Sequence, residues 1–219
     1  MKGAGIDFQR RMLRQMIIDC TSDFHGNHPD LEGGDLLIIA GDITSNDQPS
    51  EYLKFFVWLD NLDYKRKILI GGNHDTILEK HPPTYGNWDY LFDSGIEIEG
   101  LKIWGSPWTK KFSGVNPECT AFMINKNLMR SKWDLIPKDT DVLITHGPPW
   151  GMLDKTVRGQ KAGCMDLLDA VVYIRPKLHV FGHIHEAYGQ IDVQGTTFVN
   201  CSYVNEKYAP VNSPVRVIL

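Results

Sequence analysis

The sequence predicts a layered α/β domain with a mixed sheet or two sheets, and three observations carry that expectation. Five short apolar runs, rich in β-branched residues, each end abruptly in glycine and polar residues. Stretches with helical apolar spacing lie between several of these runs. No internal repeat, low-complexity tract or linker-like segment divides the 219 residues, so a single domain spanning 1–219 is expected.

The runs at 16–20 (MIIDC), 36–40 (LLIIA), 68–70, 142–145 and 178–181 read as buried strands, because they are short, branched and bounded by Gly, Pro or polar turns. Residues 49–62 place Tyr52, Leu53, Phe56, Val57 and Leu59 at helical spacing, with Pro49 suited to a first turn. Residues 116–133 open on Asn116, Pro117 and Glu118, an N-cap, an N1 proline and an acidic first turn, and a helix is expected there. A third helix over 165–174 stops before Pro176. Segments 96–104 and 188–201 pivot on Gly100 and on Gln194–Gly195 and read as hairpins, and 215–219 closes the chain as a strand. Residues 81–94 form a long loop, a kind of segment often found near sites.

Composition narrows the function. Six Trp, eight Tyr and nine Phe exclude a disordered chain. A net charge of −4 with both signs interspersed argues against non-specific nucleic-acid or anionic-membrane binding. The longest apolar run, 36–40, is far short of the roughly 20 residues that span a bilayer. Arg10, Arg11 and Arg14 precede no long apolar segment, so no secretory signal is expected. Cys20, Cys119, Cys164 and Cys201 form no Cys-x-x-Cys pair and read as free thiols in a reducing, cytoplasmic setting.

The chemistry gathers at the five strand ends. They carry Asp23, His25, Asp42, Asn73, His74, His146, His183 and His185, including five of the eight histidines. In open α/β sheets ligands bind beyond the carboxyl ends of strands, so these clusters can converge. Asp23 and His25, like His183 and His185, are two apart and can grip one ion from an extended chain. Imidazole, carboxylate and amide oxygen without thiolate suit Mn, Fe, Zn, Ni or Co in a catalytic site.

Taken in order, Asp-x-His, Gly-Asp, Gly-Asn-His-Asp, His and Gly-His-x-His resemble the calcineurin-like metallophosphoesterase superfamily. The stretches AGDIT, LIGGNHD, GSPWT, KWDLIPKDTDVLITHGPPWG and RPKLHVFGHIHEAYG are similar to its metallophosphoesterase-domain-containing, brain-protein-like branch. The resemblance implies a four-layer α/β/β/α sandwich of two mixed β-sheets flanked by helices. It implies two divalent metals per chain, Mn first, with Fe, Zn, Ni, Co or Mg as alternatives. Asp23, His25, Asp42 and His185 would hold one, and Asp42, Asn73, His146 and His183 the other, with Asp42 shared. Some animal members of the branch carry Gly where His183 stands here. His74 is implied as the proton donor to the leaving oxygen. Many relatives orient that histidine with a carboxylate at the position of Ser45, which leaves Asp47 and Asp75 as substitutes.

The function expected from this set is hydrolysis of small phosphodiesters such as cyclic nucleotides, in which two cations about 3.5–4 Å apart share a hydroxide that attacks phosphorus in line while the ions offset charge on the equatorial oxygens. The alternatives are a phosphomonoesterase, a protein phosphatase, a nuclease or a dinucleotide polyphosphatase of the same superfamily, and a non-catalytic metal-binding scaffold. Trp108 and Trp150 could stack on a base, and Arg158 and Lys161 could meet phosphate. His28 and His81 read as solvated loop residues, and His179, inside a strand run, as a hydrogen-bonded core histidine.

Overall fold

The computed structural model describes residues 15–112 and 119–219. Arg10, Arg11, Arg14 and the Asn116–Pro117–Glu118 helix start lie outside them. The elements run β1 (Ile17–Thr21), β2 (Gly34–Ala40), α1 (Pro49–Asp60), β3 (Tyr64–Ile70), α2 (Thr76–Lys80), β4 (Asp89–Tyr90), β5 (Ser94–Ile98), β6 (Leu101–Ser106), β7 (Thr109–Lys110) and β8 (Met123–Ile124). They continue with α3 (Met129–Trp133), β9 (Val142–Thr145), α4 (Met165–Ile174), β10 (Leu178–Phe181), β11 (Gly189–Val193), β12 (Thr196–Asn200) and β13 (Val215–Ile218).

Two large mixed sheets result. One has the order β13-β1-β2-β3-β4, parallel except for β13. The other has the order β11-β12-β10-β9-β6-β5, with antiparallel hairpin strands at both edges. Alternation along the strands sorts their side chains into layers. Leu36, Ile38, Ile68, Ile70, Val142, Ile144, Leu178 and Val180 point between the sheets and form one apolar core. Leu37, Ile39 and Leu69 face the other way and receive Tyr52, Phe55 and Leu59 of α1. Leu143, Phe181 and Phe198 receive Trp133 of α3 and Leu167 and Val171 of α4. Both faces of each sheet are thus covered, which is why the strand runs are continuously apolar. Each fully buried Leu, Ile or Phe contributes about 1.5–3 kcal/mol.

The helix at 49–62 forms with Pro49 at its first turn, and Gln48 and Glu51 make a reciprocal capping box. The hairpins on Gly100 and Gln194–Gly195 form as expected. The helix expected over 116–133 does not. Among its described residues, Met123–Ile124 instead pairs with Thr109–Lys110, and only Met129–Trp133 is α-helical after a single 3-10 turn. Tertiary contacts outweigh the helical pattern there: Ala121 N–H donates to the Asn73 carbonyl, and buried Phe122 fills the space beside Gly71. The 81–94 segment is also less of a loop than expected. It contributes β4 at the edge of the first sheet, and none of its residues lines the functional cavity.

Candidate metal centre

The carboxyl ends of β1, β2, β3, β9 and β10 lie side by side, and the loops leaving them are laced together. Asp23 N–H donates to the Gly41 carbonyl at 2.9 Å, and Phe24 and His25 N–H groups to the Asp42 carbonyl at 2.8 and 3.2 Å. His183 N–H donates to the Asp23 carboxylate at 3.0 Å, and His74 N–H to Asp42 Oδ1 at 2.9 Å. These bonds hold four side chains in backbone conformations that L-residues seldom adopt, with φ of 53° at Asp23, 44° at His25, 52° at Asp42 and 69° at His183. Strain of roughly 1–3 kcal/mol per residue persists only where the surroundings over-determine it, and such strain clusters at functional sites.

The side chains converge. His185 Nε2 is 3.4 Å from Asp23 Oδ1 and 3.2 Å from His25 Nε2. His25 Nε2 is 3.7 Å from Asp42 Oδ2, and His146 Nε2 is 3.3 Å from Asp42 Oδ1 and 3.0 Å from Asn73 Oδ1. The His183 ring stands 5.0 Å from that of His146. Three overlapping groups could each hold an ion: Asp23, His25 and His185; His25, Asp42 and His74; Asp42, His146 and His183. The seven expected ligand residues are therefore brought to one place.

Tautomers show why a cation fits. Nδ1 of His146 lies 2.9 Å from the Ala40 carbonyl, and Nδ1 of His185 lies 3.2 Å from that of Asn205. A carbonyl only accepts, so the ring proton sits on Nδ1 and each neutral ring turns the Nε2 lone pair toward carboxylate and amide oxygens. Lone pairs facing one another need either a proton or a metal between them. Without a metal, protons serve. Asp42, although burial favours its neutral form, is held well below the usual carboxylate range by His146, His74 and His25. Asp23 is lowered in the same way by His185 and His146. Burial works against charge on His146, but Asp42 and Asp23 raise it to about 9. His185 is also raised against burial, by Asp23. Burial drives His25 down to about 4 and His183 to about 3. Oxygen and imidazole donors, preset by carbonyls and lacking thiolate, fit a divalent cation that would displace those protons.

Two glycines make the approach possible. A Cβ at Gly72 would fall on the Asp42 carboxylate and close to the His146 ring, and one at Gly182 would fall on the Asp23 carboxylate.

His74 sits on the rim of the cluster, with Nε2 4.0 Å from Asp42 Oδ2. Neither Asp47 nor Asp75 orients it. Its Nδ1 donates to the Ser45 carbonyl at 3.1 Å, and Cys119 Sγ lies 3.1 Å from the same nitrogen. Glu51 in turn accepts the Asn46 N–H at 3.1 Å, the N–H that shares a peptide with the Ser45 carbonyl, so α1 fixes the peptide that sets the His74 tautomer. Asp47 accepts from the Tyr52 hydroxyl and the Ile77 N–H. Asp75, fully buried, accepts from the N–H groups of Ile43, Thr44 and Gly72 and from the Thr44 hydroxyl, and so ties the Asp42 loop to the Asn73 loop. Burial and Asp42 push Asp75 up to about 7.

A cavity of about 560 Å³ opens from the cluster. Trp108 lines it, but its Nε1–H is taken by Asp93 at 2.8 Å and Lys132 lies 4.0 Å over its ring. Trp150 does not line it and stands beside Lys161. Arg158 and Lys161 do not line it either, nor do His28, which stacks on Trp58, or His81. His179 is buried in β10, 2.9 Å from the Thr145 hydroxyl. Sequence reasoning missed Tyr208, whose ring lies 4.8 Å from that of His25 and 5.3 Å from that of His185. It also missed Asn205 and Cys119. All three reach the site from loops whose local sequence carries no metal-ligand pattern.

A two-sheet α/β sandwich with a cation-fitting cluster of acids and histidines at its strand ends defines a class of metal-dependent hydrolase. The calcineurin-like phosphoesterase family profile matches residues 16–187, and the chain belongs to that family. It is 38% identical over 232 residues to human metallophosphoesterase domain-containing protein 1, covering 91% of this chain and 70% of that protein. It is 37% identical over 241 residues to the Caenorhabditis elegans UPF0046 protein T07D4.2, covering 93% and 59%. Among solved structures, TT1561 of Thermus thermophilus superposes with a TM-score of 0.58 at 16% identity, covering 85% of this chain and 89% of that one. The phosphopantetheinyl hydrolase of Mycobacterium tuberculosis gives 0.56 at 14% identity, covering 87% and 90%. At such identities these two bear on the fold alone. Among the described residues no helix is long and apolar enough to cross a membrane.

Proposed function

We propose that this protein is a phosphodiesterase that holds two divalent cations, manganese by preference, and hydrolyses small phosphodiesters, cyclic nucleotides among them. One observation carries the reading: the two oxygens of Asp42 face different donor groups, Oδ1 toward His146 and Oδ2 toward His25. That is the posture of a carboxylate shared by two cations. Divalent cations, when bound, supply Lewis-acid stabilisation of phosphate oxygens and activation of water. Asp23, His25 and His185 would hold one, and Asn73, His146 and His183 the other.

The remaining chemistry belongs to His74. Because Nδ1 donates to Ser45, Nε2 is the atom free to carry a proton to the departing oxygen. A cavity of about 560 Å³ on a mildly acidic chain supports small substrates over nucleic acid.

The test is turnover of bis-p-nitrophenyl phosphate and a panel of cyclic nucleotides with Mn²⁺, Fe²⁺, Zn²⁺, Ni²⁺, Co²⁺ and Mg²⁺, alongside p-nitrophenyl phosphate. Metal-dependent turnover that favours diesters is expected. A preference for the monoester, or no metal-dependent turnover of any diester, overturns the proposal.

A further inference from the structure

Apart from histidines, the aromatic residues among the described lining of the cavity are Trp108, Phe112, Trp133 and Tyr208. The two tryptophans serve the fold. Trp133 is buried in the apolar layer with Leu167 and Val171, and Trp108 packs on Phe92 and Phe122 with its Nε1–H on Asp93. Phe112 and Tyr208 differ. Neither belongs to any of the three apolar cores, and Phe112 stays 42% and Tyr208 49% exposed. Among the described residues every ring contact the two make is to a histidine of the cluster. The Phe112 ring lies 5.4 Å from that of His183. The Tyr208 ring lies 4.8 Å from that of His25, 5.3 Å from His185 and 6.5 Å from His74. Phe112 thus borders the His183 part of the centre, and Tyr208 the part formed by His25 and His185.

Tyr208 is held there against its backbone preference. Its φ is 60°, a conformation that a tyrosine seldom adopts. Its N–H donates to the Asn205 carbonyl at 2.9 Å, the same oxygen that faces His185 Nδ1. The Asn205 side chain accepts from the N–H groups of Lys207 and Ala209 and closes the turn. One turn therefore fixes both a ligand histidine and the neighbouring aromatic ring. A half-exposed ring on strained backbone adds little to the stability of the core. What the two rings supply is apolar, flat surface at the open side of a polar centre, the kind of surface on which an aromatic group of a ligand packs.

We infer that Phe112 and Tyr208 form an aromatic rim on the metal centre, and that this rim stacks on a flat aromatic substituent of the phosphoester, an aryl ring or a nucleobase, and so favours aryl and nucleoside esters over alkyl esters. The inference rests on the phosphoester site proposed above and adds which substrates that site admits.

Three non-hydrolysable phosphonates read the rim without turnover, by calorimetry on the protein in excess Mn²⁺: methylphosphonate, cyclohexylphosphonate and phenylphosphonate. Phenylphosphonate should bind roughly tenfold more tightly than methylphosphonate, from burial and stacking of the ring. Cyclohexylphosphonate, as large and more apolar but not flat, should bind about threefold more weakly than phenylphosphonate, whereas simple apolar burial would reverse that order. Phe112→Leu and Tyr208→Leu keep apolar bulk and remove the flat face. Each should reduce the phenyl-to-methyl ratio, and the double variant should bring it to within about twofold of unity. Taking the ratio on each variant cancels any change in how the metals hold the phosphonate group. Tyr208→Phe keeps the ring and should keep the gain. A double variant that retains the phenyl gain, or cyclohexylphosphonate binding as tightly as phenylphosphonate, overturns the inference. Absence of phosphonate binding overturns it together with the phosphoester site. A phenyl gain that depends on the rim, without diester turnover, would remove the phosphodiesterase reading and leave the rim standing. Diester turnover without a phenyl gain would do the reverse.

Discussion

His179, inside β10, and His183, just past its end, are both pushed down to about 3 by burial, and their surroundings are opposite. His179 lies in regular strand geometry against Phe181 and Phe198, with one hydroxyl partner. His183 stands at a φ of 69°, its N–H on Asp23 and its ring against that of His146. The strand bodies are regions where pattern and packing agree, although the buried His179 Nδ1 has no hydrogen-bond partner among the described residues. The strand ends are regions where backbone strain, crowded acceptors and displaced protonation states coexist. Conflict of that kind, held in place by a well-packed core, marks where structure has been arranged for a ligand rather than for its own stability. If the contrast is right, changes at the strand ends should abolish metal binding and activity with little effect on folding, and changes in the strand bodies should do the reverse.

The largest effect is expected for Asp42→Ala. It removes the carboxylate that faces both donor groups and the acceptor for the His74 N–H. Diester turnover should fall on the order of 10³-fold, with metal content by atomic emission falling in parallel. A variant that kept its metals and its rate would break the assignment of the centre. Gly72→Ala should follow at about 10²-fold, since its Cβ meets the Asp42 carboxylate and the His146 ring. Circular dichroism should show an unchanged fold, because the displacement is confined to the loop. Asp75→Asn should be milder, about tenfold in kcat/KM, as an amide replaces one oxygen of the clamp that joins the Asp42 and Asn73 loops. If its rate is unchanged, Asp75 serves folding and not the positioning of the centre.

The same contrast governs how much could be read from the chain. The strand bodies were legible because short continuous apolar runs and branching are local signals, and the ligand residues were legible because each follows such a run. The helix expected at 116–133 failed where Ala121 and Phe122 are recruited to brace the Asn73 loop, a long-range demand that no local pattern reports. What orients His74 was sought among carboxylates. The answer is the Ser45 main-chain carbonyl, which any residue type at that position could offer. Tyr208 and Asn205 enter from a turn after β12, and Cys119 from within the segment that reads as helix. Their place beside the histidines depends on tertiary return of the chain, so sequence spacing could not carry it.

The smallest effect on activity, and the sharpest check on the contrast, belongs to His179→Leu. The Thr145 hydroxyl donates to the Gly147 carbonyl at 2.8 Å and would keep that partner when the imidazole is lost. Turnover and metal content should stay within about twofold of the original, because surface and core changes away from the site add independently. The pH dependence of stability should change. His179 has a folded pKa of about 3 against an ordinary value of 6.5. Between those values the unfolded chain binds a proton that the folded one refuses, so the original protein loses stability as pH falls below 6.5 and keeps it in full above. At pH 4 that penalty amounts to about 3 kcal/mol, and the leucine variant lacks it. Urea titrations of the two proteins should therefore diverge progressively from pH 6.5 downward, the variant becoming relatively more stable. Parallel curves would mean that His179 is not buried neutral, and the strand body would then share the conflict assigned here to the strand ends.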